Sequence, residues 1–234
     1  MTRLRRYCPA GLPVHIIQRG NNRSDCFNSA EDKAIFIKYL AEATATHHAD
    51  VHAWVLMSNH VHLLVTPSRA DSVSSMMQRL GHQYVRFFNR KYSRTGTLWE
   101  GRFRSCLVQT EHYFLVCQRY IELNPVRSGM VECPADFHWS SYKANALGIE
   151  TGLVKPHDIY LSLGSDEDQR LQAYRALFDE IITANQIAEL RDATNKGLVF
   201  GSTSFKDQIA EQSGQRTRVN KRGRKALGAK EILL

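Results

Sequence analysis

Residues 58–65 read S-N-H-V-H-L-L-V and place two histidines one residue apart inside an otherwise apolar run. Side chains along a β-strand point alternately to opposite faces, so His60 and His62 would lie side by side on one face. Val61 and Leu63 would then face the core. Two neighbouring imidazoles can bind a divalent metal ion. The pair is a weak signal by itself, because single histidines are usually structural.

A tyrosine and an asparagine lie four residues apart in a second segment, T-E-H-Y-F-L-V-C-Q-R-Y-I-E-L-N-P. This segment predicts a helix over 110–123 that ends by Asn124-Pro125, because the residue before a proline avoids the α region. Tyr120 and Asn124 would share one face of the helix. An asparagine oxygen can bind a hard metal ion, and a tyrosine hydroxyl beside the metal could attack a phosphodiester. Alternatively, Tyr120 is a core residue and Asn124 a helix cap.

The cysteines and the hydropathy narrow the class of protein. The five cysteines are scattered and form no C-x-x-C pair, so neither a disulfide framework nor a structural zinc site is favoured. Magnesium or manganese fits better if an oxygen ligand joins the histidines. No apolar run approaches the roughly 20 residues of a membrane span, and the N-terminus lacks the apolar region of a signal peptide. We therefore expect a cytoplasmic protein without a membrane partner.

Hydrophobic periodicity predicts seven elements before residue 150 in the order β-α-β-β-α-β-α. The predicted strands cover 13–19, 51–57, 60–66 and 97–108, and the predicted helices cover 31–48, 72–91 and 110–123. Ser29 is the expected N-cap of the first helix, with Asp32 three residues on. This order predicts an α+β fold of the ferredoxin-like, split βαβ type, with an antiparallel sheet and helices on one face. The other sheet face would be open and would carry the site.

The remainder of the chain has a different pattern. Helices are expected over 166–184 and 203–213, joined by a turn region that contains Gly197. After Gly214 the chain is basic and expected to be flexible. We therefore predict a catalytic domain over 1–150, a helical C-terminal extension over 151–214 and a basic tail over 215–234.

The net charge of +8 is concentrated in two segments. Seven lysines and arginines lie within 79–104, and another seven lie within 215–230. The rest of the chain has 17 basic and 22 acidic residues. A polyanionic partner is the natural inference, and nucleic acid is the commonest one. The alternative for either segment is a solubilising surface or tail.

Four motifs together resemble the REP-associated tyrosine transposases of the HUH single-strand endonuclease superfamily. They are R-G-N-N-R at 19–23, S-N-H-V-H-L-L-V at 58–65, G-T-L-W-E-G-R-F at 96–103 and R-Y-I-E-L-N-P-V-R at 119–127. The resemblance runs from about residue 11 to about residue 148. Four separate motifs in the same order make it specific, whereas H-x-H alone is not.

The resemblance implies a metal-dependent transposase that cuts and rejoins single-stranded DNA beside palindromic, REP-like hairpins. His60 and His62 match the metal-binding pair of that family, Asn124 matches a third ligand and Tyr120 matches the nucleophile. The implied metal is magnesium or manganese. Cleavage would leave a 5′-phosphotyrosyl link and a free 3′-hydroxyl, which could later attack the link and rejoin the strands. The protein would act in the bacterial cytoplasm at the nucleoid, as a monomer or a homodimer.

DNA binding falls to the basic segments and to the polar end of the first strand. Phe103, flanked by two arginines, would offer base stacking between two backbone contacts. The candidate DNA-binding residues are Arg19, Asn22, Arg23, Arg86, Arg90, Arg102 and Arg104. Two other functions stay open. The same fold could recognise structured DNA without cutting it, or the two histidines could activate water in a metallohydrolase.

Overall fold

The computed structural model describes residues 6–219, so most of the predicted basic tail lies outside the described residues. The strands are β1 (Val14–Arg19), β2 (Ala49–Leu56), β3 (His60–Pro67), β4 (Arg104–Val108) and β5 (Val199–Phe200). The first helices are α1 (Ala30–His47), α2 (Ser72–Lys91), α3 (His112–Glu122), α4 (Asn124–Arg127) and α5 (Tyr142–Leu147). The remaining helices are α6 (Asp158–Leu161), α7 (Glu167–Ala176), α8 (Ala184–Lys196) and α9 (Thr203–Ser213). None of the helices formed by residues 6–219 has the length and hydropathy that a transmembrane span requires.

The strands form one sheet in the order β2-β3-β1-β4-β5. β1 pairs antiparallel with both β3 and β4, and β2 pairs antiparallel with β3. These four strands, with α1 joining β1 to β2 and α2 joining β3 to β4, form the ferredoxin-like arrangement that the element order predicts. The α+β fold class is therefore confirmed. β5 extends the sheet by pairing parallel with β4.

The alternation along β3 explains how the sheet is buried. Val61, Leu63 and Val65 belong to the core beneath α1 and α2, together with Val14 and Ile16 of β1. The start of α1 is fixed as the sequence predicts, by a capping box. In this motif the Ser29 side chain accepts from the Asp32 backbone N–H, and Asp32 accepts from the Ser29 N–H. Because Val61, Leu63 and Val65 face this core, the histidines of β3 point to the opposite face of the sheet.

That opposite face is not open, and the expectation of an exposed site on it was wrong. α3 packs against β2 and β3, and α8 packs against β4. Their apolar side chains form a second core with Leu64 and Cys106 of the sheet. The buried helix residues of this core include Phe114, Cys117, Ile121, Leu190 and Ala193. Both sheet faces are covered because both carry apolar side chains that must leave water.

The C-terminal segment departs most from the expected elements. The helix expected over 166–184 ends as α7 at Ala176, and the helix α8 is a separate element that the sequence reading missed. Thr183 begins α8 with a capping box to Gln186, a signal of the S/T-x-x-Q type that was available in the sequence. The domain boundary at residue 150 stays a prediction. Beyond it, the segment adds a strand to the sheet and a helix to its second face.

Glu122 at the end of α3 holds the helices α3, α5 and α7 together. Its Oε1 accepts from Ser141 Oγ at 2.6 Å and from Asn145 Nδ2 at 2.8 Å, and its Oε2 accepts from the Tyr174 hydroxyl at 2.8 Å. Glu122 is fully buried. Burial raises the pKa of this carboxyl to about 7, although the three donated hydrogen bonds oppose the rise. This network joins the tyrosine-bearing helix to α5 and α7.

A Glu122→Gln variant should unfold with a different pH dependence from the wild type. The folded-state pKa of about 7 exceeds the unfolded value of 4.5, so the folded protein binds an extra proton between these pH values. Stability from this proton is present below pH 4.5 and is lost as pH rises through 7. The free energy of unfolding of the variant minus that of the wild type should therefore increase over this range. Denaturant titrations at pH 5, 6, 7 and 8 measure it.

The difference between the two proteins is the informative quantity, because the buried histidines contribute the same pH dependence to the stability of both. A difference that stays constant with pH would contradict a raised pKa at Glu122. A Glu122→Ala variant removes the acceptor that three buried donors share and should lose about 2–4 kcal/mol of stability.

Candidate active site

His60 and His62 lie on β3 directly beside β1. Their Cα partners in the sheet are Arg19 and Ile17, respectively. The two imidazole rings have centroids 5.0 Å apart. His62 is buried, with 3% of its surface exposed, whereas His60 at the strand end is half-buried. The structure therefore brings the two predicted ligands together at the boundary between the core and solvent.

Each of these histidines uses one ring nitrogen for a hydrogen bond inside the protein. His60 Nδ1 is 2.6 Å from Asn59 Oδ1, and His62 Nδ1 is 2.9 Å from Nε2 of His15. The Nε2 atoms of His60 and His62 make no hydrogen bond to any residue within 6–219. Metal-binding histidines commonly use one nitrogen for the metal and the other for such an orienting contact.

The electrostatics of the pair favour neutral imidazoles. Burial, together with the nearby cation of Arg19, lowers the pKa of His60 to about 4. Burial also holds the pKa of His62 well below its usual value, with His15, His60 and nearby arginines acting in the same direction. A histidine must be neutral to give its lone pair to a metal. At neutral pH both side chains have that form.

Tyr120 lies against His62 and against a third histidine, His15, in the same chain. The centroid of its ring is 5.8 Å from that of His62 and 5.9 Å from that of His15. Arg191 Nε donates to the Tyr120 hydroxyl at 3.4 Å. The guanidinium of Arg127 lies 4.1 Å from the centre of the Tyr120 ring, and its Nη2 donates to the Tyr120 carbonyl oxygen at 2.8 Å. Two cations therefore flank a tyrosine that is otherwise buried.

Asn124 is placed differently from the sequence prediction. α3 ends at Glu122, and Asn124 starts the short helix α4, so Tyr120 and Asn124 do not share one continuous helix. Pro125 interrupts the hydrogen bonding of the longer helix, because it has no N–H to donate. Asn124 Nδ2 donates back to the Tyr120 carbonyl oxygen at 3.4 Å. This contact still holds the Asn124 amide next to the turn that carries Tyr120.

The donor set fits a hard divalent cation only if an oxygen joins the histidines. Within residues 6–219, no group of three or more His, Cys, Asp and Glu side chains is placed to hold a metal ion. A closed zinc site is therefore not built into this part of the chain. With Nδ2 turned to the Tyr120 carbonyl, Asn124 Oδ1 has no hydrogen bond to the described residues and can act as an oxygen donor. Two neutral imidazoles with one amide oxygen suit an open site that keeps water or phosphate oxygens.

The loop after β1 ties three of the sequence motifs together. Gly20 N donates to Asn59 O at 2.9 Å, and Asn59 Nδ2 donates to Arg23 O at 3.1 Å. Gly20 also forms a β-bridge with Trp99. Asn22 and Arg23 are exposed in this loop, both with positive φ angles, and Arg19 lies beside His60. Arg19, Asn22 and Arg23 are therefore at or near the histidine end of β3.

The other predicted DNA-binding residues lie farther from the histidines. Arg102 and Arg104 are exposed, and both line a cavity with Arg19. Arg104 Nη1 also donates to Asn195 Oδ1 at 2.8 Å. Phe103 between them is buried under the guanidinium of Arg6, 3.7 Å from its ring centre, so the expectation of base stacking there was wrong. Its ring is used to close the core at the sheet edge.

Arg86 and Arg90 are exposed on α2, on the opposite sheet face from His60 and His62. They line a groove between α1 and α2. Arg86 also lines a second cavity, which it shares with Arg102. Arg102 thus lines cavities with Arg19 on one side and with Arg86 on the other.

Comparison with known proteins identifies the family. A family model described as "Transposase IS200 like" matches residues 9–124, which contain β1 to β4, both histidines and Tyr120. The chain belongs to the IS200-like transposase family. It is therefore a transposase that acts on DNA. No curated protein matches the chain in sequence.

A solved structure has the same fold as this transposase. A REP-associated tyrosine transposase bound to a REP hairpin superposes with a TM-score of 0.54 at 20% identity, over 67% of this chain and 93% of that chain. The fold implied by the four motifs is thereby confirmed. A chain from Deinococcus radiodurans R1, provisionally named a transposase, has a TM-score of 0.37 at 23% identity, over 52% of this chain and 96% of that one. The latter likeness is too weak to support a structural inference.

Four residues of the transposase site were missed by the sequence reading. His15 and Thr194 lie behind His62, while Arg127 and Arg191 flank Tyr120. His15 could have been predicted from the sequence, because side-chain alternation along the strand places it on the same face as Arg19. Arg127 ends the motif that contains Tyr120. Nothing in the local sequence marks Thr194 or Arg191, because they reach the site only through the packing of α8.

Gly20→Ala should destabilise the transposase, and Gly81→Ala should not. A Cβ at Gly20 would lie 2.1 Å from the Ser24 carbonyl oxygen, so the loop after β1 would have to move. We expect a loss of about 1–3 kcal/mol, as for other overpacked sites. Gly81 is inside α2, and the nearest atom to an added Cβ is 3.9 Å away, so alanine should stabilise by about 0.5–1 kcal/mol. Denaturant unfolding measures both, and equal stability of Gly20→Ala and wild type would contradict the close contact.

Proposed function

We propose that this transposase nicks and rejoins single-stranded DNA beside palindromic hairpins, through a 5′-phosphotyrosyl link on Tyr120. The observation that carries the proposal is the contact between Tyr120 and His62 in one chain. A nucleophile and a pair of neutral imidazoles with free Nε2 atoms converge on one place. The fold likeness to a REP-associated tyrosine transposase bound to a REP hairpin supports hairpin DNA as the substrate.

His60, His62 and Asn124 are the residues that would hold a magnesium or manganese ion. When bound, such an ion would offset negative charge on a phosphate oxygen and help to position the phosphodiester. Asn59 and His15 orient the two imidazoles through their Nδ1 atoms. The neutral state of both histidines at pH 7 leaves the ligand nitrogens unprotonated. This part of the site therefore requires no deprotonation step before it binds the cation.

Tyr120 performs the covalent step. Its hydroxyl oxygen attacks the phosphorus, the bond from phosphorus to the 3′ oxygen breaks, and the new bond joins the 5′ phosphate to tyrosine. The phenol releases its proton to solvent, and the departing 3′ oxygen takes up a proton to become a hydroxyl. Rejoining is the reverse reaction, in which a 3′-hydroxyl attacks the phosphotyrosyl phosphorus. The number of phosphodiester-type bonds is unchanged, so no nucleotide hydrolysis is needed.

Arg127 and Arg191 stabilise the charges of this step. Arg191 Nε donates to the hydroxyl oxygen that must lose its proton. Arg127 Nε and Nη1 are buried and have no hydrogen-bond partner among residues 6–219. Buried guanidinium N–H groups without partners are costly, and phosphate oxygens would satisfy them. We assign Arg127 the role of binding the phosphate that Tyr120 attacks.

The DNA backbone would be bound along the arginines that connect α2 with the histidine end of β3. Arg102 is central to this surface, because it lines cavities shared with Arg86 and with Arg19. Asn22 and Arg23 would contact DNA beside the cleavage site. Arg90 extends the surface along α2 and Arg104 extends it along β4. These contacts are to phosphates and would be weakened by salt.

Tyr120→Phe should abolish covalent attachment of the protein to DNA. The variant keeps the ring that packs on His62 but lacks the oxygen that forms the bond. The assay incubates short single-stranded hairpins carrying a flanking tag with protein and Mn²⁺, and detects the adduct by denaturing gel electrophoresis. Tyr113→Phe on the same helix is the matched control and should retain the adduct. An adduct formed by Tyr120→Phe would contradict the assignment.

Two further outcomes separate the alternatives. Binding of the hairpin without cleavage under every metal tested would favour a regulator that recognises structured DNA. Cleavage without an adduct would favour a metallohydrolase.

Because Tyr120 and His62 touch within one chain, a mixture of Tyr120→Phe and His62→Ala proteins should form no adduct. An adduct from the mixture would instead indicate a dimer that exchanges its tyrosine helices.

Arg102→Ala should weaken hairpin binding and reduce its dependence on salt. Loss of one phosphate contact lowers the slope of log K against log salt concentration by about 0.7–0.9. Lys155→Ala is the matched control, because Lys155 lies beyond β2, at the edge of the sheet opposite to β4. Its removal should leave the slope unchanged. Fluorescence anisotropy over a salt series measures both variants, and equal slopes would remove Arg102 from the DNA-binding surface.

A further inference from the structure

A buried chain of hydrogen bonds runs from α8 to His62. Thr194 Oγ1 is 2.8 Å from the Leu190 carbonyl oxygen and 2.8 Å from His15 Nδ1. His15 Nε2 is in turn 2.9 Å from His62 Nδ1. Thr194 and His15 are completely buried. These hydrogen bonds therefore connect a helix of the C-terminal segment to one of the proposed metal ligands, along one face of the sheet.

The proton positions along this chain follow from what each atom can donate. The Leu190 carbonyl oxygen can only accept, so the single hydroxyl proton of Thr194 is directed to it. Thr194 Oγ1 must then accept from His15, which places a proton on His15 Nδ1. Cys106 Sγ, 3.2 Å from the same oxygen, can donate its own proton there without disturbing this order. Thr194 thus selects one of the two tautomers of His15.

The tautomer of His15 determines the tautomer of His62. In a neutral imidazole with a protonated Nδ1, the Nε2 atom is an acceptor. Burial favours the neutral form of His15, because none of its partners in the described residues is acidic. His15 Nε2 therefore accepts from His62 Nδ1–H. The lone pair of His62 is then on Nε2, the nitrogen that has no hydrogen-bond partner among residues 6–219.

His60 is fixed in the same way by a different group. Asn59 Oδ1 accepts from His60 Nδ1–H at 2.6 Å, which leaves the lone pair of His60 on Nε2 as well. Both histidines of the pair consequently present unprotonated Nε2 atoms. The opposite tautomer of His62 would carry a proton on Nε2 and could not bind a cation through it.

We infer that His15 and Thr194 are positioning residues that hold His62 in the tautomer with a free Nε2 lone pair, ready for a divalent cation. This inference rests on the proposed function for its purpose. The hydrogen-bond chain itself does not depend on bound metal. It gives the segment after residue 150 a role at the site, because Thr194 belongs to α8.

The tautomer of His62 in the metal-free protein tests the inference directly. Ring nitrogen chemical shifts from long-range ¹H–¹⁵N spectra distinguish the two tautomers, with His62→Gln used to assign the signals. We expect wild-type His62 to be protonated on Nδ1. Protonation of wild-type His62 on Nε2 would overturn the inference, and the tautomer itself is measured on the wild-type protein.

Two substitutions at Thr194 then test the cause. Thr194→Val has the same shape but no hydroxyl, so His15 Nδ1 loses its acceptor and the Nε2–H tautomer of His62 should become populated. Mn²⁺ affinity, measured by calorimetry or electron paramagnetic resonance, should fall about tenfold, as is typical for the loss of an orienting partner. Thr194→Ser keeps the hydroxyl and should behave as the wild type.

Thr66→Val is the matched control. Thr66 Oγ1 is 2.8 Å from Nε2 of His52, another buried histidine of the same sheet, which is not part of the site. Its loss should change neither the His62 tautomer nor Mn²⁺ affinity. If Thr194→Val matches Thr66→Val in both measurements, the inference fails. Absence of Mn²⁺ binding by the wild type would instead contradict the proposed function, and the tautomer would still decide whether the hydrogen-bond chain acts as described.

Discussion

The burial of His62 beneath the helix that carries Tyr120 is the constraint on which the rest of the site depends. A polar ring taken out of water must find a hydrogen-bond partner. His62 finds it in His15, and His15, which is more deeply buried, finds its own partner in Thr194. Both of these partners are completely buried. Thr194 belongs to α8. The helices that cover the second sheet face are therefore required for the histidine pair as well as for the core.

Covering the second sheet face also brings together Tyr120, the proposed nucleophile, and His62, a proposed metal ligand. α3 packs its apolar side against β2 and β3, and this packing places the Tyr120 ring on His62. Glu122, two residues later, fixes the same helix to α5 and α7 through three hydrogen bonds. The position of the tyrosine is thus held from two sides. A rigid attachment of this kind would limit the motion of the proposed nucleophile, Tyr120, relative to the proposed metal ligands.

The charges of the site are arranged for an anion. Arg127 and Arg191 lie at the tyrosine, Arg19 lies at the histidines, and the imidazoles themselves are neutral. Arg102 and Arg86 continue the positive surface toward α2. A phosphodiester backbone complements this distribution at both places, because it supplies one negative charge per nucleotide. Of these cations, Arg86 and Arg102 belong to the basic segment 79–104, whereas Arg19, Arg127 and Arg191 come from other parts of the sequence.

The sequence by itself determined the ferredoxin-like sheet, the face shared by His60 and His62, and the four motifs that mark the family. These features are local, because strand alternation, a capping box or a motif is complete within a few residues. Tertiary structure alone decided that the histidine face is covered, that Phe103 is buried under Arg6, and that His15, Thr194 and Arg191 join the site. Such contacts join residues up to 179 positions apart, so they depend on how helices pack on a sheet. The capping box at Thr183 marks the start of α8, but only packing shows which sheet face the helix covers and which threonine reaches His15.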